Sequence, residues 1–161
     1  MTFELLQLLF LIIIANGAPI LIREVLNDGF TLAIDFGNKL SDNHRIFGSS
    51  KTWRGIFAAL FATSVAAWLL GYSLVTGLLV AAYAMLGDLL SSFIKRRLAM
   101  APSSAAPLLD QVPESFFPAF MMMQVFNLEI SSVILLVLIF IILELAISHV
   151  LYVWGIRKRP Y

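Results

Sequence analysis

The chain has 161 residues, of which 60% are hydrophobic and 13% are charged. A soluble domain has about 45–50% apolar and about 25% charged residues, so a water-soluble fold could not cover its surface with so few charges. A net charge of +1 and the absence of cysteine argue against a nucleic-acid-binding protein, a disulfide scaffold and cysteine chemistry. We therefore predict a single integral membrane domain that comprises residues 1–161.

Five apolar segments predict an all-α polytopic membrane protein with about five transmembrane helices. The two middle helices share the 40 residues between Arg54 and Lys95, whose only charge is Asp88, and Gly71-Tyr72-Ser73 is their expected turn. The fourth segment is short and contains Pro118, so we expect it to be tilted or broken there. The first, fourth and fifth segments are residues 3–22, 116–128 and 130–155.

The basic residues predict the orientation in the membrane. With five crossings, all eleven fall on one side, which the positive-inside rule makes cytoplasmic. The N-terminus is then outside the cell membrane, and the C-terminus and two ordered loops, residues 23–53 and 95–114, are cytoplasmic. The three basic clusters are Arg23, Lys39, Arg45, Lys51 and Arg54; Lys95, Arg96 and Arg97; and Arg157, Lys158 and Arg159.

Asp88 is a candidate functional residue because a carboxylate inside a membrane span is costly. Helical spacing places Ser92, Lys95 and Arg96 on its stripe of the helix, close to the cytoplasmic edge. A simple ion pair with Arg54 or Lys95 is the alternative interpretation. Gly87 indicates a close approach, either by another helix or by a ligand.

The segment Gly48-Ser49-Ser50-Lys51-Thr52 precedes a predicted helix and favours an anion there. It is not a P-loop, because that motif follows a strand and has glycine directly before its lysine. A helix cap with a lysine that extends to the interface is the alternative.

One membrane face thus combines two aspartates with a basic cluster. Asp88 and Asp110 flank the cluster closely, and Mg²⁺ typically binds through one or two carboxylates plus substrate phosphates. This combination predicts phosphoryl or nucleotidyl transfer to a lipid and does not distinguish between them. Glu144 and His149 in the last span are interpreted as helix-packing hydrogen bonders rather than catalytic groups.

Three stretches of the chain form a recognisable pattern. They are Ala15-Asn16-Gly17-Ala18-Pro19, the region from Asp35-Phe36-Gly37 through Asp42-Asn43-His44-Arg45 to Gly55, and Gly87-Asp88 through Lys95-Arg96 with Leu109-Asp110-Gln111. Together they resemble the CDP-archaeol synthase family, the small archaeal-type branch of the membrane CTP:lipid-phosphate cytidylyltransferases. The phosphatidate-using branch has a Lys-Asp pair and a Pro-Gly-His-Gly-Gly run before its final aspartate, where this chain has the six residues from Pro102 to Pro107.

The resemblance implies a five-helix enzyme that uses Mg²⁺ to transfer CMP from CTP to a lipid phosphate and releases pyrophosphate. By position it implies Asp88 and Asp110 as metal ligands, and Lys51, Lys95 and Arg96 as catalytic residues that hold phosphates. The substrate-binding set that it implies is Asn16, Lys51, Thr52, Arg54, Ser92, Lys95, Arg96 and Arg97.

Two other classes remain as alternatives: a polytopic transporter and a structural membrane subunit. A transporter usually places its polar site at the midplane between repeats, whereas these polar residues lie at one interface. Neither alternative would show CTP-dependent turnover. The expected partners are CTP, a lipid phosphate of unspecified type, the membrane and, as a further expectation, a second copy in a homodimer.

Overall fold

The computed structural model describes residues 2–26, 29–101, 104 and 106–155. The described residues contain two isolated β-bridges and no strand, so the all-helical prediction is confirmed. The five helices are α1 (Phe3–Leu26), α2 (Trp53–Leu69), α3 (Leu74–Arg97), α4 (Gln111–Met121) and α5 (Ile130–Val153).

Among the described residues, three helices are long and apolar enough to cross a membrane, namely α1, α3 and residues Ile130–Val150 of α5. A 24-residue helix such as α1 is about 36 Å long at 1.5 Å per residue, which exceeds the hydrocarbon core of about 30 Å. Helix α2 is apolar but has 17 residues, and α4 has only 11. The membrane fold is confirmed, and the number of five crossings stays a prediction.

The helix boundaries differ from the sequence analysis at both loops. Helix α1 continues beyond residue 22 to Leu26, and α3 includes all of its basic cluster, because positive charge is favourable at a helix C-terminus. Helix α4 begins at Gln111 instead of residue 116. Proline is tolerated at Pro113 because the first-turn amides have no partner within the helix. The helix is not broken at Pro118 and ends three residues later, at Met121.

Glycines let helix α3 contact its neighbours through backbone atoms. A Cβ on Gly77 would lie 2.5 Å from the Thr63 carbonyl oxygen of α2. A Cβ on Gly87 would overlap the Pro113 carbonyl group of α4 and lie 2.8 Å from the Glu114 amide nitrogen. Of the two sequence interpretations of Gly87, close approach of another helix is therefore confirmed.

One end of the bundle collects the loops and most of the charge. The first loop contacts the end of α3 through Arg97 Nη1 and Asp42 Oδ2, 2.6 Å apart. Gln111 Nε2 at the start of α4 donates to Glu144 Oε2 on α5 at 2.8 Å, so α5 returns toward this end. The turn at Gly71-Tyr72-Ser73 lies at the opposite end, as predicted. The third basic cluster, Arg157, Lys158 and Arg159, lies outside the described residues.

Candidate active site

The first loop is built around the side chain of Asp35, which has no exposed surface. Its carboxylate pairs with the Arg45 guanidinium and accepts hydrogen bonds from the amides of Gly37, Phe47 and Gly48, the last at 2.9 Å. Burial raises the pKa of Asp35, but these donors outweigh burial and lower the pKa to about 2. The prediction of an ordered loop is therefore confirmed for its described residues.

Gly48 brings this loop against the end of α3. Its backbone has a φ of +99°, a conformation that glycine adopts without strain, and a Cβ there would lie 3.1 Å from Nη1 of Arg96. Four residues later the Thr52 side chain caps α2 by accepting from the Gly55 amide at 3.3 Å. The segment between them is thus fixed at both ends, with Lys51 inside it.

Lys51 pairs with Asp88. The Nζ atom of Lys51 lies 2.5 Å from Oδ1 and 2.6 Å from Oδ2 of Asp88. Burial lowers the pKa of the Lys51 ammonium, but the negative charges of Asp88 and Glu114 outweigh burial and hold the pKa above its ordinary value. The alternative interpretation of Asp88, an ion pair with Arg54 or Lys95, therefore names the wrong partner, and the Lys51 ammonium does not simply extend to the interface. Arg54 instead donates to the Gly29 carbonyl oxygen.

A second ion pair joins α3 to the start of α4. Lys95 Nζ lies 2.7 Å from Asp110 Oδ1 and donates to the Ser104 carbonyl oxygen at 3.2 Å. Arg96 is 5% exposed and donates to the Ala101 carbonyl oxygen at 2.8 Å, while its buried Nε lacks a hydrogen-bond partner among the described residues. These cations are held in place by groups of the protein and retain unused donors.

Glu114 is a member of this cluster that the sequence analysis treats only as a loop boundary. Its carboxyl group lies beside the carboxyl group of Asp88. Two carboxyl groups can approach in this way only if one carries a proton or a cation lies between them. The spacing could have identified Glu114, because it follows Asp110 by four residues and so faces the same side of α4.

A cavity of about 1060 Å³ unites these groups. Its polar side contains nine of the ten predicted site residues, and its apolar side comes from α1, α2, α3 and α5, with Ile13, Ile20, Phe140 and Ile147 among its members. The nine are Asn16, Lys51, Thr52, Arg54, Asp88, Ser92, Lys95, Arg96 and Asp110.

The tenth residue, Arg97, is not among the residues that line the cavity. Its guanidinium binds the Asp42 carboxylate and the Arg45 carbonyl oxygen, the latter at 2.7 Å, and lies 5.2 Å from the centre of the Phe93 ring. Arg97 therefore fastens the first loop to α3. It faces away from the other predicted site residues because it lies one position further round the helix than Arg96.

Two predicted ligand contacts and two predicted packing residues also have defined positions. Asn16 lines the cavity but donates its Nδ2 to the Ile12 carbonyl oxygen at 3.0 Å, and Ser92 lies one turn after Asp88. Glu144 packs by its hydrogen bond to Gln111, as interpreted, whereas His149 lies on an exposed part of α5.

The donor atoms of the cavity fit a magnesium ion held jointly with phosphates. Within the part of the chain that the structure describes, three acidic or histidine side chains are not gathered closely enough to hold a metal by themselves. Asp88 and Asp110 each already bind a cationic group, so their oxygens lie where positive charge is stable. One or two carboxylates completed by substrate phosphates is the usual arrangement for Mg²⁺.

Comparisons with known proteins identify the family of this chain. A family model described as "CarS-like: CDP-archaeol synthase" matches residues 2–74 and 70–161. The chain is 33% identical to the CDP-archaeol synthase of Sulfolobus acidocaldarius over 92% of this chain and 91% of the relative. It is 30% identical to that of Pyrobaculum calidifontis over 98% of this chain and 99% of the relative. A solved structure of an intramembrane enzyme for archaeal membrane lipid biosynthesis superposes with a TM-score of 0.74 and 28% identity, covering 88% of this chain and 90% of that one.

Proposed function

This chain belongs to the CDP-archaeol synthase family, and we propose that its cavity is where CTP, Mg²⁺ and a membrane lipid phosphate meet. The enzyme transfers CMP from CTP to the lipid phosphate and produces a CDP-activated lipid and pyrophosphate. The observation that carries the proposal is the cavity itself, which joins carboxylates, including those of Asp88 and Asp110, and several cationic side chains to apolar side chains of the membrane-spanning helices.

The chemistry explains why the polar side is rich in cations. An oxygen of the lipid phosphate attacks the α-phosphorus of CTP, and the bond from that phosphorus to the bridging oxygen of the β-phosphate breaks. Both reactants are anions, so their repulsion must be offset before they can approach in line. Lys51, Lys95 and Arg96 supply positive charge for this purpose. A phosphate monoester is already largely ionised near pH 7, so a strong side-chain base is not required.

The metal has a defined place in this proposal. Mg²⁺ bound by Asp88 and Asp110 would neutralise negative charge on the triphosphate. Ser92, Thr52, Asn16 and Arg54 line the same cavity and are proposed to contact CTP or the lipid headgroup.

The acceptor is proposed to be an archaeol-type ether lipid phosphate, because the relatives that match over most of this chain are CDP-archaeol synthases. Purified protein should convert labelled CTP and this acceptor into a CDP-lipid and pyrophosphate in equal amounts, with less product from ester-linked phosphatidate. Faster turnover of phosphatidate would contradict the acceptor. An absence of turnover with every lipid phosphate would contradict the function and favour a transporter or structural subunit.

The orientation in the membrane is proposed from the one-sided basic residues, with the cavity cytoplasmic and the N-terminus outside. The chain has no native cysteine, so single cysteines can report sidedness. In intact cells an impermeant thiol reagent should label a cysteine at Leu74, the exposed first residue of α3, and spare one at Ser41 in the first loop. Labelling of Ser41→Cys alone would invert the topology. The homodimer is likewise a proposal, and crosslinking in native membranes would test it.

A further inference from the structure

Both acids proposed as magnesium ligands are bound to lysines of the same protein. Lys51 Nζ contacts both carboxylate oxygens of Asp88, and Lys95 Nζ contacts Asp110. These lysines are also the groups proposed to hold phosphates. In the absence of substrates, the cations for the phosphates and the anions for the metal are therefore paired with one another.

Such pairing creates competition at the carboxylate oxygens. An ammonium at 2.5–2.7 Å from these oxygens occupies the position that a metal ion would take. The cavity partly shields the groups from water, since only 18% of the Asp88 side chain and 9% of the Lys95 side chain is exposed. Weak screening strengthens both the ion pair and the repulsion between an ammonium and an incoming divalent cation.

We propose that Lys51 and Lys95 occupy the metal-binding oxygens of Asp88 and Asp110 in the empty enzyme, so that a divalent cation binds tightly only when CTP phosphates attract the lysines away. This inference rests on the proposed function, because it assumes the same two acids and CTP. Partner exchange then couples the two ligands: the phosphates take the lysines, and the metal takes the carboxylates. By linkage, the metal strengthens CTP binding by the same factor as CTP strengthens metal binding.

Competition between the lysines and the metal predicts an effect on metal binding that a simple catalytic role of the lysines would not produce. Replacing a lysine should abolish catalysis and yet improve metal binding to the nucleotide-free protein. We would titrate detergent-purified Lys51→Met with Mn²⁺, without nucleotide, and count free Mn²⁺ by electron paramagnetic resonance. The expected result is an affinity about tenfold or more above that of the unmodified chain, which corresponds to the loss of one closely opposed charge.

Matched variants show whether the gain in Mn²⁺ affinity comes from breaking the Lys51–Asp88 pair. Lys39→Met removes the same charge from the same loop, but Lys39 is exposed and bonds to Asn43, so Mn²⁺ affinity should not change. The double variant Lys51→Met/Asp88→Asn should lose the gain, which assigns it to Asp88. Lys95→Met tests the second pair against Asp110 and serves if Lys51→Met fails to fold.

The outcomes separate this inference from the function on which it rests. Suppose the unmodified chain makes CDP-lipid with Mg²⁺ and both lysine variants bind Mn²⁺ no more tightly than it does. The lysines are then not competitors, and the inference is overturned while the function stands. A gain of the same size in Lys39→Met would also overturn it, because net charge would explain the effect. An absence of CDP-lipid from the unmodified chain would reject the function itself.

Discussion

Asp35 and Asp88 are both aspartates paired with a cation of the first loop, but their surroundings differ. Asp35 has no exposed side-chain surface and receives three backbone amides in addition to its arginine. Asp88 lines the cavity and contacts one lysine ammonium and one neighbouring carboxyl group. The first carboxylate has its hydrogen-bonding capacity filled by the fold, whereas the second has a partner that a ligand can replace.

This difference separates a structural acid from the acid that we propose as a metal ligand, without reference to any relative. The backbone amides cannot move away from Asp35 unless the loop unfolds, so the charge of Asp35 stabilises the folded loop. A lysine side chain is flexible, so Asp88 can exchange it for another cation at small conformational cost. The comparison predicts that the two residues respond in opposite ways to the same substitution.

The largest expected effect is on turnover in Asp88→Asn. This change keeps the shape and removes the charge, and the loss of one metal ligand should reduce kcat by about a thousandfold or more, since each 1.36 kcal/mol is about tenfold in rate. Asp110→Asn should behave in the same way. Both proteins should remain monodisperse on gel filtration. Near-normal turnover of either variant at ordinary Mg²⁺ concentration would remove that residue from the metal site.

Asp35→Asn should act on stability first. It leaves the Arg45 guanidinium beside a neutral amide and deprives three backbone donors of a charged acceptor, which should lower the free energy of unfolding by about 3 kcal/mol. Chemical denaturation in detergent would measure this loss, with Asp88→Asn as the matched control. Equal destabilisation by the two substitutions would contradict the prediction that Asp35 contributes more to stability than Asp88 does.

A substitution that shifts Asp110 relative to Asp88, with both side chains unchanged, tests whether the proposed site depends on their positions. A methyl group in Gly87→Ala meets the α4 backbone beside Glu114, so α4 must shift together with Asp110. Activity per folded molecule should fall about tenfold to a hundredfold, because small displacements of catalytic groups are costly. Gly77→Ala creates a similar clash between α2 and α3 away from the cavity, and should lower stability while turnover per folded molecule is kept. Loss of turnover in both variants would indicate a general packing defect.

Lys51→Arg tests how far the shape of the cation matters. A guanidinium is a planar fork that cannot reproduce the compact ammonium, so we expect roughly a tenth of normal kcat, with Lys51→Ala far lower. Steady-state kinetics at saturating CTP would measure both. Turnover of Lys51→Ala at the unmodified rate would return Lys51 to a purely structural position.

The smallest effect concerns acid stability. The pKa of Asp35 falls from 3.8 to about 2 in the folded protein, so its contribution is complete above pH 4 and is lost as the pH falls toward 2. The difference in unfolding free energy between the unmodified chain and Asp35→Asn should therefore shrink over that interval. A difference that stays constant would mean that the pKa of Asp35 is the same in the folded and unfolded states.

Periodicity and charge in the sequence predict the helical membrane fold and the turn after α2, and the resemblance to the CDP-archaeol synthase family implies nine of the residues that meet in the cavity. The partner of Asp88 could not be predicted, because residues 51 and 88 are joined only by the tertiary contact between the first loop and α3. Glu114 was missed because Pro118 and the short apolar run suggested a helix that began later. Arg97 was assigned to the site with its neighbours because sequence proximity does not show which side of a helix end a residue faces.

The dual character of the cavity also bears on how the two products separate. Its lining combines apolar side chains from helices long enough to cross the membrane with polar side chains of the loop end. A CDP-lipid keeps its chains in the hydrocarbon and departs sideways, whereas pyrophosphate is soluble only in water and departs along the loop. The two substrates divide in the same way, since the lipid phosphate lies in the membrane and CTP is dissolved in water. A cavity with access to both phases would therefore let each reactant arrive, and each product leave, within its own phase.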